Sequence, residues 1–162
     1  MIVLGIDVGR EGAIARLEDG KLADVFDMPI LRDGAKGRPA VNAALLAEII
    51  AKSHATQAFV EFVGPRPGEG AVQGFSFGRS RGVIEGVCGA LGVSITWLTA
   101  PQWKRLASIP PGKDRAKDAA RSEAIRRWPD KAGLFARVKD AGRAESALIG
   151  LAGLKKREHS GA

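Results

Sequence analysis

A chain of 162 residues, 45% of them hydrophobic, is long enough for one domain with a substantial core and too apolar for disorder along its length. No run approaches the ~20 apolar residues of a membrane span, no basic segment precedes the first apolar run, and Cys88 is the only cysteine. These features predict a chain without a secretory leader, an internal disulfide or a multi-cysteine zinc site, in a reducing cytoplasm. The net charge of +7 is uneven: residues 1–100 hold 10 Lys/Arg against 11 Asp/Glu, and residues 101–162 hold 15 against 7. That excess after residue 100 reads either as a solvated helical surface or as a contact for a phosphate polymer.

The chain opens on Ile2-Val3-Leu4-Gly5-Ile6, an apolar run that predicts a central strand ending at Asp7. Residues 13–17 and 22–26 predict a hairpin around Asp19-Gly20, a strong tight-turn signal. Residues 31–39 read as a loop rich in Gly, Lys and Arg. Val41, Leu45, Leu46, Ile49 and Ile50 then fall at helical spacing up to about Ser53. Gln57 to Val63 predicts the next strand, interrupted by Glu61, and residues 64–68 break the chain.

Gly70, Gly74, Gly78, Gly82 and Gly86 recur every four residues, which places them on one helical face. Each costs a helix ~0.8–1 kcal/mol relative to alanine, so a close neighbour is expected in compensation: another helix, the sheet, or a second subunit. The alternative is a helix that starts only after Gly78. Val93–Leu98 predicts a fifth strand, and Pro101 opens a short helix to Leu106. After the break at 109–112, residues 116–128 predict a basic helix. The last helix is expected from about Arg143, with Ala144, Ala147, Leu148 and Leu151 as its apolar stripe. One domain is predicted over residues 1–154, followed by a frayed basic tail over 155–162.

Four acids carry the chemistry. Asp7 and Glu61 lie in apolar strands, where a carboxylate is costly to desolvate unless something pairs with it. Asp140 and Glu145 open the last helix. Oxygen donors of this kind suit hard divalent cations, and clustered carboxylates holding two such ions can serve in-line attack on a phosphodiester. On this reading Asp7 bridges two ions, Glu61 holds one, and Asp140 and Glu145 hold the other or position the attacking water. The plainer readings are a strand-end turn for Asp7, a buried ion pair for Glu61 and a helix-start charge for Asp140 and Glu145. Phe75 and Phe77 can stack on an exposed base or pack in the core. His54 and His159 belong to no nucleophile pattern.

An acid-bearing central strand, a hairpin, a helix, a second acid-bearing strand and a terminal acidic helix together resemble the ribonuclease H-like nuclease fold, an α/β architecture with a five-stranded mixed sheet flanked by helices. Within it, Gly5-Ile6-Asp7-Val8-Gly9 and Val60-Glu61 resemble the two acidic strands of RuvC-type Holliday junction resolvases. Gln73 to Gly82, Thr99-Ala100-Pro101-Gln102-Trp103-Lys104 and Gly112-Lys113-Asp114-Arg115-Ala116-Lys117 are similar to their loop, helix and basic segment. Residues 140–145 look like the closing helix of the phage-related branch. The final acids depart from the pattern, being five residues apart rather than one helical turn, so the direct ligand among Asp140 and Glu145 is left open.

The resemblance implies a homodimeric endonuclease that resolves four-way DNA junctions by opposed nicks, in a bacterial cell or a phage-infected host. It implies two Mg²⁺ ions per site, with Mn²⁺ as a substitute, held by Asp7, Glu61, Asp140 and Glu145, and it places Lys117 near the reaction. Phe75, Phe77, Arg79, Arg81, Lys104, Lys113, Arg115, Lys117 and Arg121 are the expected DNA contacts. A sibling nuclease acting on RNA or flap DNA is the alternative. Asp7-Val8-Gly9 with Gly12-Ala13 also resembles the first phosphate loop of actin-like ATPases, but no second such loop flanked by strands occurs here. A binding protein with a decayed site is the remaining reading, against which the complete acid set argues.

Overall fold

The computed structural model describes residues 1–32, 37–65, 67–110 and 116–161, the side chains of Ala116 and Lys117 excepted. Strands β1 (Ile2–Ile6), β2 (Ala13–Glu18) and β3 (Lys21–Asp27) form an antiparallel meander. Its hairpin turns at Asp19 (φ 47°) and Gly20 (φ 78°), a left-handed pair whose twist matches the flanking strands. Next come β4 (Ile30–Arg32) and β5 (Pro39–Val41), α1 (Ala43–Ser53), β6 (Gln57–Glu61), α2 (Ala71–Ala90) and β7 (Ser94–Leu98). The chain ends with α3 (Ala100–Leu106), α4 (Ala116–Arg127), 3-10 turns over Pro129–Phe135 and Val138–Asp140, and α5 (Ala141–Ser160). The main sheet has the order β3-β2-β1-β6-β7, with β6 and β7 parallel to β1.

Two local expectations change. The predicted loop from Leu31 to Pro39 is flanked by a ribbon in which Ile30 pairs with Val41 and Leu31 with Ala40. Val41 therefore belongs to a strand, and α1 starts one residue past Asn42, whose side chain accepts from the Leu45 N–H at 3.2 Å. The tail is helix through Ser160 rather than frayed. Lys155 donates to the Leu106 carbonyl at 2.9 Å and Arg157 to the Gln57 side chain at 2.8 Å, which ties it to α3 and the sheet.

The sheet carries a core on each face, as strand periodicity requires. Leu4, Ile6, Ala58 and Val60 pack with Leu46 and Ile50 of α1 and Ile84 and Cys88 of α2. Val3 and Phe59 pack on the other side with Trp103, Ala120, Ala124 and the α5 residues Ala144, Ala147 and Leu148. Burial pushes the Cys88 thiol up to about 11, which leaves it an inert apolar filler.

Helix α5 lies almost on the backbone of β1. A Cβ at Gly5 would stand 2.7 Å from the Gly150 Cα, so neither position admits a side chain. The glycines of α2 behave differently. The helix runs unbroken through Gly74 and Gly78, and a Cβ at Gly78, Gly82 or Gly86 would meet nothing within 4 Å. Neither the late-starting helix nor a stripe facing this subunit's own sheet survives: the stripe is exposed.

Candidate active site

Asp7 follows the last residue of β1. Its N–H donates to the Ala13 carbonyl at 3.1 Å, and the loop between them turns at Gly9 (φ 128°) with the Gly12 N–H on the Gly9 carbonyl at 3.1 Å. Asp7 has the same strand parity as Val3 and Gly5, and so belongs to the α5 face of the sheet. Helix α5 begins against this loop: a Cβ at Gly142 would overlap the Glu11 carbonyl oxygen. That contact sets the first turn of α5 beside Asp7, and Glu145 follows one turn later on the same side.

The result is a cleft of about 770 Å³ lined by Asp7 and Glu145 together with Arg10, Arg38, Lys139 and Phe77. Asp7 and Glu145 each interact with other groups of the protein. Three cations share this lining with three acids, Asp7, Glu11 and Glu145, an arrangement that offers a polyanion basic contacts beside hard oxygen donors. Sequence reasoning missed Arg10, Arg38 and Lys139. Arg10 lies three residues from Asp7, and Lys139 adjoins Asp140, but one-dimensional adjacency gave no sign that Arg38 would fold over from the β4–β5 ribbon.

Glu61 ends β6, half-buried, opposite Leu98 of β7. The β1–β6 pairing puts Ile6 opposite Val60, so Asp7 and Glu61 stand one step further, at neighbouring strand ends. Glu61 also shares the parity of Phe59, and hence the α5 face. Among the described residues no three His, Cys, Asp or Glu side chains form a group able to hold a metal ion as they stand.

Asp140 is set apart from this arrangement. It is 2% exposed, and its carboxylate accepts from the Arg137 N–H at 2.9 Å, Nε at 3.0 Å and Nη2 at 2.9 Å. Arg143 stands 3.7 Å away and makes paired 2.6 Å bonds to Asp27 at the end of β3. The Arg137 guanidinium holds the Asp140 carboxyl below the usual carboxylate range, and Arg143 does the same for Asp27. By donor chemistry Asp7, Glu145 and Glu61 can supply oxygen ligands to a divalent ion, whereas both Asp140 oxygens are already committed to a guanidinium.

The expected DNA contacts divide. Phe77 lines the cleft, its ring 3.6 Å from a Cβ built at Gly9. Phe75, 74% exposed, and Arg79 line an adjoining groove that shares Arg38, Val72 and Ser76 with the cleft. Arg81 bonds Glu85 and lies 4.6 and 4.5 Å from the ring centroids of Phe62 and Trp97. Lys104 covers the Trp103 ring at 5.4 Å. Arg121 pairs with Asp118 and donates to the Ala136 carbonyl at 3.0 Å, which pins the turn after α4. Lys113, Arg115 and the side chain of Lys117 lie outside the described residues.

No protein-family model matches the sequence, and no curated protein matches it. Solved structures do. Thermus thermophilus RuvC in complex with a Holliday junction substrate is 13% identical, covers 98% of this chain and 96% of its own, and superposes with a TM-score of 0.66. A second Thermus thermophilus RuvC structure is 17% identical, covers 99% and 97%, and has a TM-score of 0.60. The chain therefore has the fold of RuvC, a ribonuclease H-like mixed sheet flanked by helices.

Proposed function

We propose that this protein is a divalent-metal-dependent endonuclease that resolves four-way DNA junctions by opposed nicks, acting as a homodimer in the bacterial or phage-infected cytoplasm. The observation that carries this reading is the cleft in which Asp7 and Glu145 meet, rimmed by Arg10, Arg38 and Lys139, in a RuvC fold. Asp7, Glu61 and Glu145 would hold two ions, Mg²⁺ by preference and Mn²⁺ in its place. Bound there, the metal supplies an activated water and charge stabilisation at the leaving oxygen.

The chain's own residues do the rest. The cations of the rim draw the phosphodiester into the cleft and hold it by charge. The rigid strand ends beneath Asp7 and Glu61 fix the acids before substrate arrives, which lowers the cost of orientation. Phe77 walls the cleft, and the exposed Phe75 is placed to stack on a base that has left its helix. Lys113 and Lys117 belong to the proposal as further phosphate contacts. Asp140 enters as a positioning residue for the start of α5, leaving Glu145 as the helix-borne ligand. The basic tail over 155–162 is proposed as an extension of the domain.

Synthetic four-way junction, duplex, flap and RNA–DNA hybrid, each incubated with Mg²⁺ and with chelator, test the reading. Paired symmetric nicks in the junction alone, lost in chelator, are expected. Cleavage of flap or hybrid in preference to the junction would move the protein to a sibling nuclease activity, and no cleavage of any substrate would overturn the reading.

A further inference from the structure

The two most exposed large apolar side chains among the described residues are Val138 at 75% and Phe75 at 74%. Phe75 sits in the groove beside the cleft, and Val138 lines the cleft itself. An apolar side chain left in water costs the folded chain the burial it would otherwise gain. The turn that presents Val138 is nevertheless held firmly. The Asp140 carboxylate binds the main chain and guanidinium of Arg137, the Asp140 N–H closes back on the Arg137 carbonyl at 2.9 Å, and Arg143 links the group to Asp27 of β3. Lys139, next along the turn, also lines the cleft. A buried, arginine-clamped carboxylate thus supports a short lip whose outward products are one apolar tip and one cation.

We infer that this lip, Val138 with Lys139, is a second wall of the substrate site, which packs against the sugar and base of a DNA nucleotide unstacked beside the scissile phosphate. The occupant follows from charge and shape: Arg10, Arg38 and Lys139 suit phosphates, Asp7, Glu11 and Glu145 suit the cations that accompany them, and an apolar tip on the same cleft suits the deoxyribose or base face that unstacking exposes. The lip stands on the residues before α5, whereas Phe75 and Phe77 stand on α2, so an unstacked nucleotide is gripped by two separate elements. This inference rests on the junction-nuclease reading.

The test uses a four-way junction carrying 2-aminopurine beside the cut position, bound in Ca²⁺ to follow unstacking and then in Mg²⁺ for single-turnover cleavage. Val138→Ser should melt within about 1 °C of wild type, because the side chain is exposed. It should bind the junction within about threefold of wild type, lose about half or more of the 2-aminopurine fluorescence rise, and cleave about tenfold more slowly, as befits a lost apolar contact. Val138→Ile should restore both signals, and Lys139→Ala should make the salt dependence of binding shallower by about 0.9. Wild-type fluorescence and rate in Val138→Ser, or a Val138→Ile as defective as the serine variant, would overturn the inference. A wild-type protein that neither binds nor cuts the junction would instead overturn the functional reading and carry the lip down with it.

Discussion

Among single residues, the proposed function asks two kinds of work of the acids. Asp7→Asn, Glu61→Gln and Glu145→Gln should each cut cleavage about a thousandfold or more while junction binding persists, because each loses a ligand charge and leaves the basic rim intact. Near wild-type cleavage by any of the three would remove that residue from the metal site. Asp140→Asn should act on stability instead, lowering the melting temperature by about 5 °C through the loss of charge-assisted bonds to Arg137. Its pH dependence has a definite sign. The folded-state carboxyl titrates below its ordinary value of about 4, so its stabilisation is complete above that pH and is lost as pH falls through the folded value. Melts at pH 7 and pH 3 should show the gap between wild type and Asp140→Asn closing at the acid end; an equal gap at both would mean the pair contributes no charge. The strand-end positions of Asp7 and Glu61 were legible in the sequence, because a carboxylate in an apolar strand is anomalous on its face. The division between Asp140 and Glu145 was not, since it depends on Arg137, three residues away around a 3-10 turn that no periodicity announces.

At the level of elements, glycine has opposite meanings in two helices of equal length. In α5 it permits contact: Gly150 lies over Gly5, and a Cβ at Gly153 would overlap the Phe59 ring. Gly150→Leu or Gly153→Val should therefore prevent folding or destabilise by about 3 kcal/mol or more, as overpacking against buried side chains and strand backbone does. Thermal unfolding at near wild-type temperature in either variant would contradict the described approach of α5 to the sheet. In α2 the same residue lines an open face. The sequence drew attention to α2, where the spacing of four is regular, and passed over α5, where Gly142, Gly150 and Gly153 follow no single repeat. Regular spacing reports a helical face; it cannot report what lies against that face. Strands fared better, because the period of two is local and each apolar run had a clear turn at its end. The short β4–β5 ribbon escaped for the converse reason, its three-residue strands being too short to show a period.

For the whole molecule, the proposed function makes charge and symmetry decide how a junction would be met. Among the described residues, part of the basic excess after residue 100 is already paired: Arg126 and Arg127 share Glu123, and Arg121 holds Asp118. Binding should still weaken steeply with salt, but through the cleft rim: Arg10→Ala with Arg38→Ala should reduce the log–log slope by about 2, at ~0.9 per phosphate contact. An unchanged slope would place the phosphates elsewhere. Opposed nicks in a two-fold junction call for a two-fold enzyme, and a self-complementary patch is the simplest way to build one. The exposed stripe of Gly78, Gly82 and Gly86 is the patch proposed here. Since nothing in this subunit lies within 4 Å of a Cβ at Gly82, Gly82→Leu should fold with an unchanged or slightly raised monomer stability, glycine being the poorer helix former by ~0.8–1 kcal/mol. Across a dimer the same leucine would hold the two helices apart. Sedimentation should then find a monomer, and a cruciform plasmid should be nicked on one strand without the coordinated second cut. A folded, dimeric Gly82→Leu that resolves junctions at the wild-type rate would show that the stripe faces solvent and that the two-fold contact lies on another surface.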